Sequence, residues 1–201
     1  MSAAMLQYGS LACALLPVSL LPFVPPARRL PPPWRVAAAL ILGILCLVDI
    51  HGVSLAGFVR GAIGDPAVTT TALLLARLYV WAGGRPLADD GDRRALFIGV
   101  AIAGVLLYPM ALGLGRFDPY GLGYNSELPA TVVVVLTGIA LVRSRPFVAW
   151  LLVLPMLAWD FSLLESDNLW NYFLDPLIVI YSLGWGFSRA IAYWQAKRSG
   201  A

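Results

Sequence analysis

The chain has 201 residues, of which 60% are hydrophobic and 12% are charged, and its net charge is +3. Soluble domains carry about 25% charged residues, so this composition excludes an ordinary soluble domain and predicts a chain embedded in a lipid bilayer. No more than two basic residues are adjacent anywhere, which argues against a nucleic-acid partner. A single His excludes bis-His haem ligation and the H-E-x-x-H zinc motif, and no cofactor is predicted.

Seven apolar segments predict an all-α fold, a polytopic membrane helix bundle with about seven transmembrane helices in a single domain, 1–201. The first segment has no basic residue in front of it, which argues against a cleaved signal peptide, and its prolines predict a kink. The fifth would be about 24 Å long as a helix, short of the roughly 30 Å apolar core, so its full crossing stays open. The predicted spans are 5–25, 34–52, 66–83, 95–115, 127–142, 146–164 and 171–194.

The basic residues predict the orientation of these helices. Eleven fall in one set of alternate connections, whereas Arg60 and Arg116 fall in the other. The positive-inside rule therefore places the N-terminus outside and the C-terminus in the cytoplasm, as in a bacterial inner-membrane protein. Arg77 lies within the third span and is expected to extend toward the cytoplasmic side. The eleven residues are Arg28, Arg29, Arg35, Arg85, Arg93, Arg94, Arg143, Arg145, Arg189, Lys197 and Arg198.

The acidic residues show the opposite distribution, since eight of eleven map to the predicted outer side. The inner three lie in "LADDGDRRA", where Asp92 is expected to cap the fourth span. Asp-Pro pairs recur at Asp65-Pro66, Asp118-Pro119 and Asp175-Pro176. We interpret this recurrence as shared helix-capping chemistry, because each pair precedes a helix that descends from the outer side.

The first outer connection, residues 49–66, has apolar residues spaced by small ones and predicts a short interfacial or re-entrant helix. Asp49 and His51 are two positions apart, so on a helix they would point to opposite sides. They can meet only if the preceding helix ends near Val48. Two interpretations stay open, a proton-exchanging pair suited to proton-coupled transport or two interfacial residues with separate partners.

The second outer connection, residues 116–129, combines aromatic rings with glycine and proline and predicts a structured turn. Tyr120 and Tyr124 are typical of an interfacial aromatic belt. Arg116 is expected to pair with an outer carboxylate. Ser126 is expected to cap the helix that begins at Glu127.

The third outer connection, "WDFSLLESDNLWNYFLDP", is the most polar and supports two interpretations. If the last helix begins near Glu165, then Asn168, Asn171 and Asp175 share one face that turns toward Asp160 in the sixth span. Alternatively, Asp175 is the N-cap of a helix whose first residue is Pro176. Asp160 itself has apolar neighbours and is predicted to be an ionisable group below the outer interface.

Together these patterns predict an outward-facing polar site for a cation or for the headgroup of a lipid-linked envelope substrate, serving transport or an envelope-lipid reaction. The predicted partners are the lipid bilayer and this lipid-linked or cationic molecule. The alternative is an accessory subunit that docks a basic membrane-protein partner on an outer acidic rim. No catalytic motif assigns an enzyme activity. The candidate residues are Asp49, His51, Asp160, Asn168, Asn171 and Asp175, with Tyr120, Tyr124 and Arg116 at the rim.

Overall fold

The structure is a computed structural model that describes residues 3–114, 116–124 and 127–198. Within these ranges the chain forms ten α-helices and one small β-hairpin, so the predicted all-α fold is confirmed. Ser126, the predicted cap, lies outside the described residues. Seven helices have 14 residues or more, and each falls largely within one predicted apolar segment. They are α1 (Ala3–Val18), α3 (Pro32–Leu47), α5 (Val68–Trp81), α6 (Asp90–Ala111), α7 (Glu127–Val142), α8 (Pro146–Asp160) and α10 (Pro176–Arg198).

Shorter elements lie at both ends of the long helices. The end that carries α4 (Leu55–Ile63), α9 (Trp170–Phe173) and the hairpin of β1 (Asp49–Ile50) and β2 (Val53–Ser54) is called the outer end. The opposite end, with α2 (Pro25–Arg28), is called the inner end. The amphipathic helix α4 confirms the short helix expected in the first outer connection.

Among the residues that the structure describes, two segments are long and apolar enough to cross a membrane, Met5–Phe23 and Asp90–Ala111. Four other helices, α3, α5, α7 and α8, are apolar but have 14–16 residues. At about 1.5 Å per residue these four measure roughly 21–24 Å.

Two side-chain clusters form the interior. The larger joins α6, α8, α9 and α10 and contains Val100, Leu107, Leu169, Tyr172 and Val179. The smaller joins α1, α3 and α4 through Cys13, Ala14, Cys46 and Ala56, and both cysteines are free thiols. Helices that are neighbours in the chain pack together, as α7 does against α8 and α1 against α3, and so do distant ones, as α6 does against α10.

The outward faces of the long helices carry large apolar side chains that are exposed. On α6 these are Ile98, Ile102, Val105 and Leu106, each more than half exposed. The helices α3, α7 and α10 show similar faces. Contiguous apolar surface of this extent is uncommon on soluble monomers and marks contact with lipid or protein.

Several helices differ from their predicted boundaries. The first ends at Val18 and the sixth at Asp160, before the predicted ends at 25 and 164. Three further differences have a local cause. The second helix ends at Leu47, five residues before the predicted end, because His51 and Gly52 adopt positive φ angles of 56° and 90° and close the hairpin. The fourth begins at Asp90 because Asp89 is its N-cap, and Asp92 completes a capping box from the third helical position.

The last helix begins at Pro176, so the predicted start at residue 171 is also wrong. Pro176 occupies the first helical position, where its missing N–H leaves no hydrogen bond unmade. Residues 170–173 instead form the separate turn α9, which is followed by Leu174 in an extended conformation. The interpretation in which the helix extends back to Glu165 is therefore excluded.

Basic side chains join the loops at the inner end. Arg145 lies 3.4 Å from Asp92 and 3.7 Å from Asp89, which connects the start of α8 to the start of α6. Arg35 donates hydrogen bonds to the Leu30 and Trp81 carbonyl oxygens, both at 2.8 Å. These contacts tie the inner connections to one another.

Gly104 sets the close approach of α6 to α10, and we predict that Gly104→Ala lowers stability. A Cβ at this position would collide with both γ-methyl groups of Val179, a branched side chain with little freedom to move. Overpacking of this kind costs about 1–3 kcal/mol. The measurement is the thermal unfolding midpoint in detergent.

The matched control is Gly99→Ala on the same helix, where a Cβ would meet no atom within 4 Å. Replacing this helical glycine is expected to leave the midpoint unchanged or raise it. Equal midpoints for the two variants would contradict the packing argument.

Candidate functional site

The carboxylate of Asp175 holds the first turns of two helices together at the outer end. Its Oδ1 accepts a hydrogen bond from the Ile178 backbone N at 2.8 Å, which caps α10. Its Oδ2 accepts one from the Ala67 backbone N at 2.8 Å, just before α5. The side chain is buried, with 7% of its surface exposed. Asp175 is therefore the predicted helix cap, and it also joins α10 to α5.

Arg60 on α4 is the centre of an ion-pair cluster beside this cap. Its Nε and Nη2 donate to the two carboxylate oxygens of Asp65 at 2.5 and 3.0 Å, and Nη2 also donates to Glu165 at 2.8 Å. The hydrogen bonds with Asp65 raise the pKa of the Arg60 guanidinium above its ordinary value, so it stays charged. A Cβ on Gly9 would collide with both Arg60 and Asp65, so α1 contacts the pair through bare backbone.

Asp65 consequently does not act as the helix cap that its Asp-Pro pair predicts. The N-cap position of α5 is Ala67, which has no capping side chain, and Asp175 accepts its backbone N–H instead. Asp118 accepts from the Tyr120 backbone N at 2.9 Å, within its own turn. The three Asp-Pro pairs have three different roles, so the interpretation as shared capping chemistry is wrong.

The two asparagines order the third outer connection against the second. Asn168 is fully buried, and its Nδ2 donates to the Tyr120 carbonyl oxygen at 3.0 Å. Asn171 accepts from Tyr120 Oη at 2.8 Å and donates to Ser166 Oγ at 2.6 Å. Burial raises the pKa of the Tyr120 hydroxyl, so this group remains a hydrogen-bond donor. A Cβ on Gly123 would collide with Asn168, so the contact requires glycine there.

A cavity of about 1110 Å³ lies at the outer end beneath these groups. Its polar side contains the ion-pair cluster, Asp175, Tyr120 and Asn171. Its other side follows one face of α10, because Pro176, Val179, Ile180 and Leu183 recur at helical spacing. Further lining comes from Tyr108, Ala111 and Leu112 at the end of α6 and from the backbone of Gly57, Gly61 and Gly64.

The structure separates the predicted pair Asp49 and His51 from this cavity. Both side chains are exposed on the β-hairpin, with Asp49 opposite Ser54 and His51 in the turn. The helix α3 ends at Leu47, just before Val48, as a contact between Asp49 and His51 would require. Within the described part of the chain, however, neither residue forms an ion pair.

Asp160, Tyr124 and Arg116 also lie outside the cavity lining. Asp160 is the last residue of α8 and is exposed, so it does not face Asp175 across a shared site. Tyr124 is 65% exposed and its ring packs against Tyr120 at 6.3 Å between centroids. Arg116 is exposed, and no carboxylate among the described residues pairs with it.

Three charged residues of the site were not among the predicted candidates, namely Arg60, Asp65 and Glu165. The sequence did contain a signal for them, because Arg60 is one of two cations on the predicted outer side, which is otherwise rich in acids. A cation in that position requires carboxylate partners nearby. Its partner Glu165 is 105 positions away, so spacing could not identify it. Within the described ranges, no group of three or more His, Cys, Asp or Glu residues could hold a metal ion.

We predict that Asp175→Ala destabilises the fold more than any single exposed carboxylate change. The variant removes the cap of α10, worth about 0.5–2 kcal/mol, and leaves the Ala67 N–H without its partner, which costs about 1–3 kcal/mol. Asp175→Asn retains one acceptor oxygen and should recover part of the loss. Thermal unfolding in detergent measures these differences.

Asp160→Asn is the control for charge on the same end of the bundle. Asp160 is exposed at the C-terminus of α8, where a negative charge opposes the helix dipole. Its replacement should leave the midpoint unchanged or slightly higher. A loss as large as that of Asp175→Ala would show that Asp160 has a structural role that its exposed position does not indicate.

Comparison with known proteins adds no family to this description, because no family model, no curated protein and no solved structure matches the chain.

Proposed function

We propose that the chain is a multi-pass protein of a bacterial inner membrane, with seven crossing helices, the N-terminus outside and the C-terminus in the cytoplasm. The two long apolar segments and the exposed apolar faces of α3, α6, α7 and α10 support membrane insertion. The basic loops at the inner end support this orientation. Four of the proposed crossing helices are shorter than the apolar core of a bilayer. A locally thinner bilayer, or flanking side chains that extend to the interface, would accommodate this mismatch.

We further propose that the outer cavity binds the headgroup of an amphiphile, as expected for a lipid-linked envelope substrate. The observation that carries this proposal is the union of a charged, hydrogen-bonding side with an apolar face of α10 in one cavity. A headgroup fits the polar side, and its chain fits along Val179, Ile180 and Leu183. Ile180 is 68% exposed, so the apolar side is open toward the lipid.

The charges of the cavity favour a headgroup with an ammonium or several hydroxyls. Its lining includes three carboxylates and one guanidinium, a net charge of −2. Asp65 and Asp175 each accept hydrogen bonds within the protein at both carboxylate oxygens. Glu165 accepts from Arg60 at Oε1 and is 54% exposed, so its carboxylate can also accept from a ligand. Asn171 and Ser166 beside it offer amide and hydroxyl groups that suit a polyhydroxyl head. Transport and a lipid reaction both require such a site.

A second candidate function is a non-catalytic accessory subunit that docks a basic partner at the outer end. The exposed acids Asp49, Asp118, Glu127, Asp160 and Asp167 favour it, because they lie outside the cavity and face away from the core. Exposed charges of this kind are screened by salt. A stoichiometric partner that co-purifies in mild detergent and is lost at high salt would favour this function.

The proposed crossing of α8 predicts opposite accessibility for two matched serines. Ser144 and Ser162 are both exposed, both have positive φ, and each lies two residues beyond the last residue of α7 or α8. In intact cells, a membrane-impermeant maleimide should label Ser162→Cys, and should label Ser144→Cys only after permeabilisation. The native cysteines are buried, so background labelling should be low.

Each other outcome of this labelling experiment has a distinct meaning. Reversed labelling would show that the orientation is inverted, while α8 still crosses. Labelling of both positions in intact cells would show that α8 does not separate two compartments. The second result would overturn the seven-helix proposal.

The proposed headgroup site predicts that Glu165→Gln weakens binding of an ammonium-bearing lipid. Removing one partly exposed carboxylate should reduce affinity for phosphatidylethanolamine about fivefold, which corresponds to about 1 kcal/mol. Affinity for a glucosyl diacylglycerol should change less, because its hydroxyls also bond the neighbouring amide and hydroxyl groups. Equilibrium binding of each lipid to the detergent-purified chain measures this.

Asp167→Asn is the matched control, because Asp167 is an exposed acid two residues away that does not line the cavity. It should leave both affinities unchanged. Tighter binding of phosphatidylglycerol than of either probe at this site would contradict the proposed headgroup class.

A further inference from the structure

A second cavity, of about 600 Å³, lies between α5, α6 and α10 toward the inner end. This volume is within the roughly 300–1,000 Å³ typical of small-molecule sites. Residues 86–88, in the connection from α5 to α6, line it on the inner side. Most of the remaining wall is apolar, and Phe97 of α6 packs against Tyr181 and Trp185 of α10 within it.

One face of α5 contributes polar groups to this inner cavity. Thr70, Leu73, Arg77 and Trp81 recur at helical spacing and all line it. Arg93 lines it from α6. None of the described residues that line the cavity is acidic, so its charge is positive, opposite in sign to that of the outer cavity.

Two buried hydrogen-bond donors in the lining lack a partner among the described residues. They are Thr70 Oγ1 and Trp81 Nε1. The Thr70 side chain is 6% exposed. A buried donor without an acceptor costs free energy, so both groups would gain from an acceptor oxygen that reached them.

The two guanidinium groups are also available to a ligand. Arg77 stacks on the Phe23 ring at 4.2 Å, and within the described part of the chain no carboxylate pairs with it. Arg93 has a contact of 4.0 Å with Asp90, and both of those side chains are more than half exposed. A contact of that length at an exposed site binds weakly.

We propose that the inner cavity binds an amphiphile with an anionic headgroup, a phosphate or a carboxylate on an acyl chain. The headgroup lies between Arg77 and Arg93, and the chain lies along the apolar wall. Basic pockets between membrane helices on the cytoplasmic side bind anionic lipid heads for the same electrostatic reason. The proposal does not rest on the outer cavity, because it concerns other residues and the opposite headgroup charge.

The experiment measures equilibrium binding of three probes to the full chain in detergent, namely phosphatidylglycerol, oleate and phosphatidylcholine. Arg77→Gln and Arg93→Gln are each expected to weaken binding of the anionic probes about fivefold and to leave phosphatidylcholine unchanged. The matched control is Arg94→Gln, which removes the same charge from an exposed neighbour that does not line the cavity.

Ala88→Trp tests the cavity without changing any charge, and it covers the case in which Arg77→Gln does not fold. Ala88 lines the cavity from a connection between helices, so the indole should occupy the space and abolish binding of the anionic probes. Binding of phosphatidylglycerol alone identifies a phosphate headgroup, binding of oleate alone identifies a carboxylate, and binding of both supports the shared chemistry. Equal binding of phosphatidylcholine, equal losses in Arg93→Gln and Arg94→Gln, or unchanged binding in Ala88→Trp would overturn the proposal.

Discussion

The outer half of the molecule depends on one buried carboxylate. Asp175 accepts a backbone N–H from the start of α10 and another from the residue just before α5, although these two helices are far apart in sequence. A helix start that is buried must find acceptors for its free N–H groups, because water cannot reach them. A single charged group that serves two helices fixes their relative position. The outer cavity lies directly against this junction, so its shape follows from the same contact.

The groups around this junction restrict the loops that would otherwise be mobile. Arg60 binds carboxylates from its own helix connection and from residue 165, and Asn168 binds the backbone of the second outer loop. Such long-range contacts hold the three outer connections together as one layer over the helix ends. A layer of this kind is what a headgroup site requires, because polar groups must be held in place to discriminate between ligands.

The two cavities differ in charge. The outer cavity contains more carboxylates than cations, whereas the lining of the inner cavity contains Arg77 and Arg93. In each cavity the charged side chains lie beside apolar faces of the helices. Two cavities of opposite charge would distinguish amphiphiles by the charge of the headgroup. The proposed orientation would place the positively charged cavity at the cytoplasmic leaflet, where anionic lipids attract basic residues in other membrane proteins.

The sequence alone determined the helical class, the approximate position of each long helix and the segregation of charge, because hydropathy, proline positions and basic residues act locally along the chain. It placed 127–142 correctly, since Glu127–Val142 is the observed helix. It left Asp175 open between a cap and a stripe residue, because both interpretations satisfy local spacing. The structure decided that point, because the helix begins at Pro176 and Asp175 accepts from the Ile178 backbone N. Only the tertiary structure shows that Asp175 also accepts from Ala67, a partner 108 positions away. It also brought Arg60, Asp65 and Glu165 together and left Asp160 exposed. The pairing of carboxylates with cations depends on how the helices pack, and the order of the residues in the chain does not determine it.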